Sequence, residues 1–136
     1  MEFGSELTDE VYGLYEENGW TSYLKDRDLI ARALDNSMYV LGAFDGGKLI
    51  GFVRCVGDGE TIVYVQDLIV APSHLRQGVG RELMRRVSEG YAAVRQLVLI
   101  TDAEDEVSNA FYRAIGMVQT VNGCGINHYF RKQRND

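Results

Sequence analysis

The sequence has little cysteine and little positive charge, and each shortage argues against a class of protein. Its 136 residues include two Cys. Two cysteines are too few for the disulfide framework of a small secreted protein or for a cysteine-rich metal site, so Cys55 and Cys124 are expected to be unpaired thiols. Fourteen Lys and Arg against 20 Asp and Glu give a formal charge of -6. This balance argues against a nucleic-acid partner, which needs clustered Lys and Arg, and favours cationic partners such as amines.

Long apolar runs are also lacking. No stretch approaches the ~20 apolar residues that cross a bilayer, and no signal peptide opens the chain. We therefore expect a cytoplasmic protein without a membrane partner. The dipeptides that follow Met1 (Glu-Phe, Gly-Ser and Glu-Leu) are those that common restriction sites encode. Residues 1–7 are thus predicted to be cloning-derived and are left out of the predicted fold, and residues 8–134 are predicted to form a single domain.

Hydrophobic spacing predicts both helices and strands. The predicted helices share apolar residues at helical spacing and cover residues 8–17, 25–34, 79–91 and 106–115. The predicted strands share β-branched and aromatic residues and cover residues 38–44, 49–56, 61–70, 96–101, 117–121 and 126–131. We expect Thr8 to cap the first helix and Gly116 to end the last. On that last helix, four residues are expected to face inward: Val107, Ala110, Phe111 and Ala114. The order of elements predicts an α+β fold with a mixed sheet.

The most informative stretch joins the strand that ends at Val70 to the helix that follows. Its turn contains Gly78 and Gly80, flanked by Arg76 and Arg81. The first amides of a helix have no partner within the helix, and the helix dipole adds partial positive charge there. Such an end binds anions, phosphate above all. The glycines alone are equally typical of an ordinary tight turn.

The longer pattern resembles the GCN5-related N-acetyltransferase (GNAT) family. That family has a strand of the form L-x-V-x-P followed by Q/R-x-x-G-x-G/A, and the matching residues here are Leu68, Val70, Pro72 and Leu75-Arg76-Gln77-Gly78-Val79-Gly80. Leu75 departs from the pattern, and Arg76 is the candidate to replace its side-chain contact. A second stretch, residues 110–117, is similar to the family's A-x-x-F-Y-x-x-x-G-F helix in a shortened form.

The resemblance implies a GNAT acyl-CoA N-acyltransferase fold, with a mixed six- to seven-stranded sheet flanked by about four helices. The sheet is expected to splay between the strand ending at Val70 and the strand at residues 96–101. Acetyl-CoA, with no metal, is the implied cosubstrate in that gap. The residues implied to hold it lie at the strand end, in the turn and on the last helix: Leu68, Ile69, Val70, Leu75, Arg76, Gln77, Gly78, Val79, Gly80, Arg81, Asp105, Asn109 and Tyr112. A homodimer is a further expectation from the resemblance.

The implied reaction is direct attack of an amine on the thioester, with Tyr112 as general acid. A half-buried tyrosine with its hydroxyl in water is the alternative for Tyr112. The amine must first lose a proton, and Asp67 is the first candidate for the base, with a structural carboxylate as an equal alternative. Gln66 and Asp67 should face opposite ways unless a bulge intervenes. Asp105 stands where the family often has an asparagine, so it either contacts CoA or caps the helix.

The loop between the first two helices is implied to help form the acceptor pocket. Trp20 and Tyr23 could stack there on a cationic or aromatic amine, with core packing as an equal alternative for Trp20. His74 is expected on the surface, and His128 is expected to be packed in a strand.

Two functions therefore remain. One is an N-acetyltransferase acting on a primary amine of an unidentified acceptor, either a small molecule or a peptide. The other is a non-catalytic acyl-CoA sensor. The departures from the family pattern at Leu75 and Asp105, and the lack of an obvious general base, favour it. A nucleotide-binding P-loop is disfavoured because no Gly-Lys-Ser/Thr follows the turn.

Overall fold

The structure, a computed structural model, describes residues 1–122, 125–129 and 131. The chain divides into two compact units, Met1–Ile100 and Thr101–Asp136. The first unit contains a sheet and the helices α1 (Thr8–Glu17), α2 (Arg27–Asp35) and α3 (Val79–Gly90). The second unit contains α4 (Glu106–Ala114). Among the described residues, no helix combines the length and the apolar character that a membrane span requires.

The sheet of the first unit has the order β1-β2-β3-β4. Its strands are β1 (Tyr39–Asp45), β2 (Lys48–Gly57), β3 (Ile62–Val70) and β4 (Gln96–Leu99). The first three form an antiparallel meander, whereas β4 pairs with β3 in parallel. Gly46 and Gly47 have φ values of 57° and 84°, the left-handed values that a two-residue hairpin turn favours, and they connect β1 to β2. The parallel pair needs a crossover connection, which α3 supplies.

The two faces of the sheet carry different helices. On one face α1 and α2 pack, and the ring of Tyr15 meets that of Phe52 edge to face with centroids 5.9 Å apart. Gly51 and Val53 alternate with Phe52 and so belong to the other face. The helix α3 lies on that other face, because a Cβ placed on Gly51 would stand 3.3 Å from Val79. The sheet is therefore covered by helices on both sides.

Most predicted elements are confirmed to within two residues at each end. The predicted cap at Thr8 is wrong. Thr8 is the first helical residue, and its hydroxyl donates to the main-chain oxygen of Ser5 at 2.6 Å. A short 3-10 helix at Ser5–Leu7 leads directly into α1, so that Leu7 occupies the cap position.

The two strands predicted after α4 are wrong. Residues 117–119 have no regular structure, Thr120–Asn122 is a 3-10 helix, and the described residues among 125–131 are not in strands. The described residues therefore form a four-stranded sheet rather than the six or seven strands expected. Val118 and Val121 are exposed. An apolar strand pattern forms a strand only where a neighbouring edge takes its main-chain hydrogen bonds and another surface buries its side chains.

The first seven residues, which the sequence prediction leaves out of the fold, contribute to it. The main-chain amide of Phe3 donates to Val40 at 3.2 Å, and Glu2 forms a bridge with Leu41 of β1. The ring of Phe3 packs edge to face on Phe52 with centroids 5.9 Å apart. The cloning-derived origin of residues 1–7 stays a prediction.

The second unit begins with a loop, and α4 follows it. The expected inward face of α4 is wrong for three of its four residues: Val107, Ala110 and Ala114 are exposed, and Phe111 is half-buried. Gly116 has a φ of 96° and ends α4 as predicted.

The burial of the Cys55 thiol can be tested by chemical labelling. It is a free thiol, as predicted, and it is fully buried in β2; Cys124 lies outside the described residues. Burial raises the pKa of the Cys55 thiol to about 12, although the nearby Arg54 charge opposes the rise. Because the thiolate is the reactive form, we expect a Cys124→Ser variant to resist a thiol reagent at mildly alkaline pH until it is unfolded in guanidinium. Rapid labelling of the native variant would contradict this placement.

Candidate functional site

The turn before α3 is shaped by two residues in the left-handed region. The chain leaves β3 through a 3-10 helix at Pro72–His74 and an extended Leu75. Arg76 then has a φ of 62° and Gly78 a φ of 81°. Arg76 is the only described residue other than glycine with a positive φ. A non-glycine residue in this region is uncommon, and such conformations cluster at functional sites.

The start of α3 presents main-chain donors without a side-chain cap. Gly78 is the cap residue, and among the described residues no side chain accepts a hydrogen bond at this end. A Cβ at Gly78 would meet nothing within 4 Å, so the space before the turn is open. Arg76 and Arg81 are exposed on either side. Free amides, the helix dipole and two guanidinium groups are a donor set suited to a phosphate-bearing ligand.

The loop that carries this turn is fixed to the end of β1, at the same end of the sheet. The Nε2 of His74 lies 2.9 Å from an oxygen of Asp45, and its Nδ1 lies 2.8 Å from the hydroxyl of Ser73. His74 is therefore a half-buried loop anchor rather than the solvated surface residue expected. His128 is exposed and outside any strand, so its predicted strand packing is also wrong.

The strand β3 leaves half of its length unpaired with β4. The parallel pairing covers Ile62 to Val65 only, whereas β3 continues to Val70. The amide of Ala71 donates to β2 at Ile50, at 2.7 Å. Because main-chain groups alternate in direction along a strand, Val70 and Leu68 turn theirs toward the β4 side. The sheet splays where the family resemblance implies.

The main-chain groups of Ile69 point away from the gap, unlike those of Leu68 and Val70. Its main-chain oxygen faces β2, where it would stand 2.9 Å from a Cβ on Gly51. Its side chain is buried in the core cluster on the α1 face. Of the three strand residues expected to pair with a ligand, Leu68 and Val70 have main-chain groups available in the gap.

A bulge at Gln66 decides which way Asp67 faces. Arg54 pairs with Asp67 and Cys55 pairs with Val65, so Gln66 is the extra residue of β3. Without the extra residue, Val65 and Asp67 would lie on the same face. With it, Asp67 joins Arg54 on the α1 face, and Gln66 remains exposed at the start of the splayed stretch.

Asp67 is the centre of a buried polar cluster. Its Oδ2 lies 2.8 Å from Nε of Arg54, and the two side chains are 1% and 8% exposed. The hydroxyl of Tyr15 donates to Oδ2 at 2.7 Å, and that of Tyr23 donates to Oδ1 at 3.1 Å. Gln66 Nε2 donates to the Tyr23 hydroxyl at 3.2 Å. Burial, and then the charge of Asp67, raises the pKa of both tyrosines, so both hydroxyls remain protonated.

The two aromatic residues expected in the acceptor loop are stacked on one core tyrosine. The ring of Tyr23 lies 4.5 Å from that of Tyr15 between centroids, and the ring of Trp20 lies 5.7 Å from it on a nearly parallel plane. Trp20 and Tyr23 are both half-buried. Core packing, the alternative reading of Trp20, is what the structure contains, while Tyr23 also brings a hydroxyl to Gln66.

Three predicted site residues belong to the second unit. Asp105 caps α4 by accepting from the amide of Ser108 at 3.0 Å, and this bond lowers the pKa of its carboxyl group. Asn109 bonds to Thr101 and, through its amide, to the main-chain oxygen of Asp102 at 3.2 Å. The ring of Tyr112, half-buried, packs edge to face on its neighbour Phe111.

Sequence reasoning missed Arg54 and Tyr15 as members of the cluster. The available signal was an arginine in the otherwise apolar residues 49–56 and an aspartate in the equally apolar strand that follows. Two opposite charges in adjacent buried strands are expected to pair. In the described part of the chain, no group of three His, Cys, Asp or Glu is arranged to hold a metal ion.

A hollow lies between the β1 edge of the sheet and the start of α3. It has a volume of ≈ 520 Å³ and is bordered by Leu41 and Phe44 of β1 and by Gln77, Gly78 and Val79 at the turn, among others. The order of the strands puts β1 at the edge opposite β4. The hollow therefore borders the turn before α3 from the β1 side, away from the splay between β3 and β4.

The left-handed turn predicts a difference between two glycines. A Cβ would meet nothing within 4 Å at either Gly78 or Gly13, but Gly13 lies inside α1 with no positive φ. Replacement by alanine should therefore cost about 1–2 kcal/mol of unfolding free energy at Gly78. At Gly13 it should gain about 0.5–1 kcal/mol. Urea unfolding of Gly78→Ala and Gly13→Ala measures both, and equal effects would argue against the left-handed turn.

Comparison with known proteins assigns the chain to a family. The acetyltransferase (GNAT) family model matches residues 5–117. An uncharacterised N-acetyltransferase of Prochlorococcus marinus is 30% identical over 99 residues, which are 68% of this chain and 54% of that protein. A chloroplastic GCN5-related N-acetyltransferase of Arabidopsis thaliana is 31% identical over 86 residues, which are 63% and 43% of the two chains. The chain spans about half the length of these curated relatives.

A solved structure supports the same family assignment. A GNAT family acetyltransferase from Streptococcus pneumoniae is 33% identical, with a TM-score of 0.75 over 92% of this chain and 91% of the other. The left-handed turn, the uncapped start of α3 and the splay beside β3 thus occur in a chain that belongs to the GNAT acetyltransferase family.

Proposed function

We propose that this protein is an acetyl-CoA-dependent N-acetyltransferase that acts on a primary amine by direct attack. The observation that carries the proposal is the uncapped start of α3, which follows the left-handed Arg76 and Gly78 and stands at the end of the splayed half of β3. Membership of the GNAT family supports the same activity. A cytoplasmic location and a homodimer stay predictions.

The turn and the strand have complementary parts in binding acetyl-CoA. The amides from Gly78 to Arg81 would receive the pyrophosphate, with the guanidinium groups of Arg76 and Arg81 beside it. The main-chain groups of Leu68 and Val70 would pair with the pantetheine arm. Leu75 is 56% exposed and offers no polar group, which leaves the phosphate contacts to the main chain and the arginines.

Known structures with this fold support the choice of ligand. AAC(6')-Iy, 20% identical with a TM-score of 0.74 over 99% of this chain, was solved with the bisubstrate analogue CoA-S-monomethyl-acetylneamine. A chain of this architecture therefore holds a CoA moiety and an amine-derived moiety together. The acceptor of the present protein is proposed only as a primary amine.

The chemistry requires three proton movements. Acetyl-CoA supplies an activated acetyl group, and the carbon-nitrogen bond forms as the carbon-sulfur bond breaks. An ammonium group must lose one proton before it can attack, its nitrogen loses a second as the amide forms, and the departing sulfur gains one. We propose Tyr112 as the donor to the sulfur. Asp67 is a weaker choice of base than the sequence suggested, because Arg54 and two tyrosine hydroxyls already occupy its oxygens. A water chain is then the route for the proton of the amine.

An acyl-CoA sensor without turnover is the second candidate. The observation that favours it is the engagement of Asp67, the first candidate base, in an ion pair with Arg54. A sensor would use the same start of α3 to bind acetyl-CoA but would need no proton acceptor. The two functions therefore differ in turnover and not in cosubstrate binding.

Calorimetric titration with acetyl-CoA and a thiol-release assay across a panel of primary amines test the proposal. We expect binding and turnover of at least one amine. Tyr112→Phe should lower kcat by about 10²-fold and leave the Kd for acetyl-CoA unchanged, because a general acid acts on the chemical step. The matched control is Tyr129→Phe, at a tyrosine that is 91% exposed, which should retain full activity.

The outcomes separate the two candidates. Absence of binding at millimolar acetyl-CoA would exclude both functions. Tight binding without turnover of any amine would favour the sensor. Unchanged kcat in Tyr112→Phe would remove that residue from the mechanism while leaving the activity in place.

A further inference from the structure

The hydroxyl of Tyr23 has a fixed hydrogen-bond direction. A phenol has one proton to donate, and Tyr23 donates it to Oδ1 of Asp67 at 3.1 Å. Gln66 Nε2 approaches the same hydroxyl as a donor at 3.2 Å. Toward any further group, the Tyr23 oxygen therefore acts as an acceptor. The Gln66 amide, with its nitrogen turned to Tyr23, also leaves its carbonyl oxygen as an acceptor.

The ion pair of Asp67 with Arg54 enforces this direction. The carboxylate of an ion pair accepts hydrogen bonds and donates none. The buried guanidinium of Arg54 donates to Oδ2 through Nε at 2.8 Å. The hydroxyl of Tyr15 donates to Oδ2 as well, at 2.7 Å. All three groups around Asp67 point their protons inward, so the polarity of the Tyr23 hydroxyl follows from the buried ion pair.

This hydroxyl lies at the start of the splay. Gln66 is the extra residue of the bulge and the first residue of β3 beyond the stretch that pairs with β4. Its hydrogen bond with Tyr23 is exposed to solvent. An amine that reaches an acetyl group lying along Leu68 and Val70 would approach past these two side chains.

We infer that Asp67 is a positioning residue. Because it accepts the proton of the Tyr23 hydroxyl, the oxygen atoms of Tyr23 and Gln66 are left to accept the N–H groups of the attacking amine. The inference rests on the proposed acetyltransferase function. A neutral primary amine has two N–H donors and one lone pair, and acceptors that take the N–H groups leave the lone pair directed away from them, toward the thioester. A tyrosine hydroxyl turned outward would instead donate to the lone pair and block attack.

The distribution of charge agrees with an amine that arrives as a cation. Residues 1–35, which carry Tyr23, contain nine Asp and Glu against three Lys and Arg, whereas residues 36–136 contain eleven of each. The excess negative charge of the chain therefore lies in the segment that also carries the acceptor oxygen of Tyr23. Long-range attraction of ammonium groups to this segment would raise their local concentration.

Two tyrosines bound to the same carboxylate provide a matched test. Tyr23→Phe should lower kcat/KM for the best amine of the panel by about tenfold, the value of one hydrogen bond. It should also weaken binding of that amine to the enzyme–CoA complex, measured by calorimetry, and leave the Kd for acetyl-CoA unchanged. Tyr15→Phe removes a hydroxyl from the same carboxylate on the buried side. It should lower the thermal stability and have a smaller effect than Tyr23→Phe on both amine measurements.

Asp67→Asn tests the direction of the hydroxyl itself. The side-chain amide that this substitution introduces can donate to Tyr23, which frees the tyrosine proton to turn outward, so kcat should fall further than in Tyr23→Phe. Adding Tyr23→Phe to Asp67→Asn should then raise kcat to the level of the single Tyr23→Phe variant. Circular dichroism establishes that each variant is folded, and if Asp67→Asn does not fold, the tyrosine pair decides the question alone.

Specific results would overturn the inference. Equal losses in Tyr15→Phe and Tyr23→Phe, in an enzyme that transfers acetyl groups, would make the cluster merely structural. The same conclusion would follow if folded Asp67→Asn lost kcat and the addition of Tyr23→Phe did not restore kcat to the level of the single Tyr23→Phe variant. Absence of acetyl transfer by the unaltered protein would instead overturn the proposed function, and this inference with it.

Discussion

The single extra residue at Gln66 is the constraint on which the arrangement of the first unit depends. It changes the face of the sheet to which alternate side chains of β3 point. As a result, Val63 and Val65 pack under α3, whereas Asp67 and Ile69 pack under α1. The reversal brings Asp67 opposite Arg54, and the same point in the chain is where the pairing with β4 ends. One irregularity therefore sets the position of the buried charges and the start of the splay.

The buried ion pair is costly to assemble and has to be fully hydrogen-bonded. Moving each charge out of water costs several kcal/mol even after relaxation, and good geometry is needed to offset that cost. The oxygens of Asp67 accept from Arg54 and from two tyrosines, and Arg54 also reaches Ser37 at 3.3 Å. Among the described residues, no buried side-chain polar atom lacks a partner. The cluster links α1, the loop after it, and the two central strands.

The turn before α3 has the opposite character, because its main-chain groups are exposed and uncapped. Gly78 adopts a left-handed conformation with open space before it, and Arg76 adopts one despite its side chain. The hydrogen bonds of His74 to Asp45 and Ser73 hold the loop that carries this turn. A loop with uncapped main-chain donors suits a ligand that brings its own acceptors. The chain thus has a fully hydrogen-bonded polar cluster near the middle of β3 and uncapped main-chain amides at the turn that follows β3.

The elements whose signals are local could be predicted from the sequence. Helical and strand spacing predicted α1, α3, the meander and β4, and the glycine pattern predicted the turn before α3, because periodicity and left-handed turn residues act over a few positions. The other features depend on contacts between distant parts of the chain. Strands expected near residues 117–121 and 126–131 do not form among the described residues, since a strand depends on a partner edge. The bulge at Gln66 and the pairing of Asp67 with Arg54 join positions on different strands, and no local pattern specifies which face a buried charge will take.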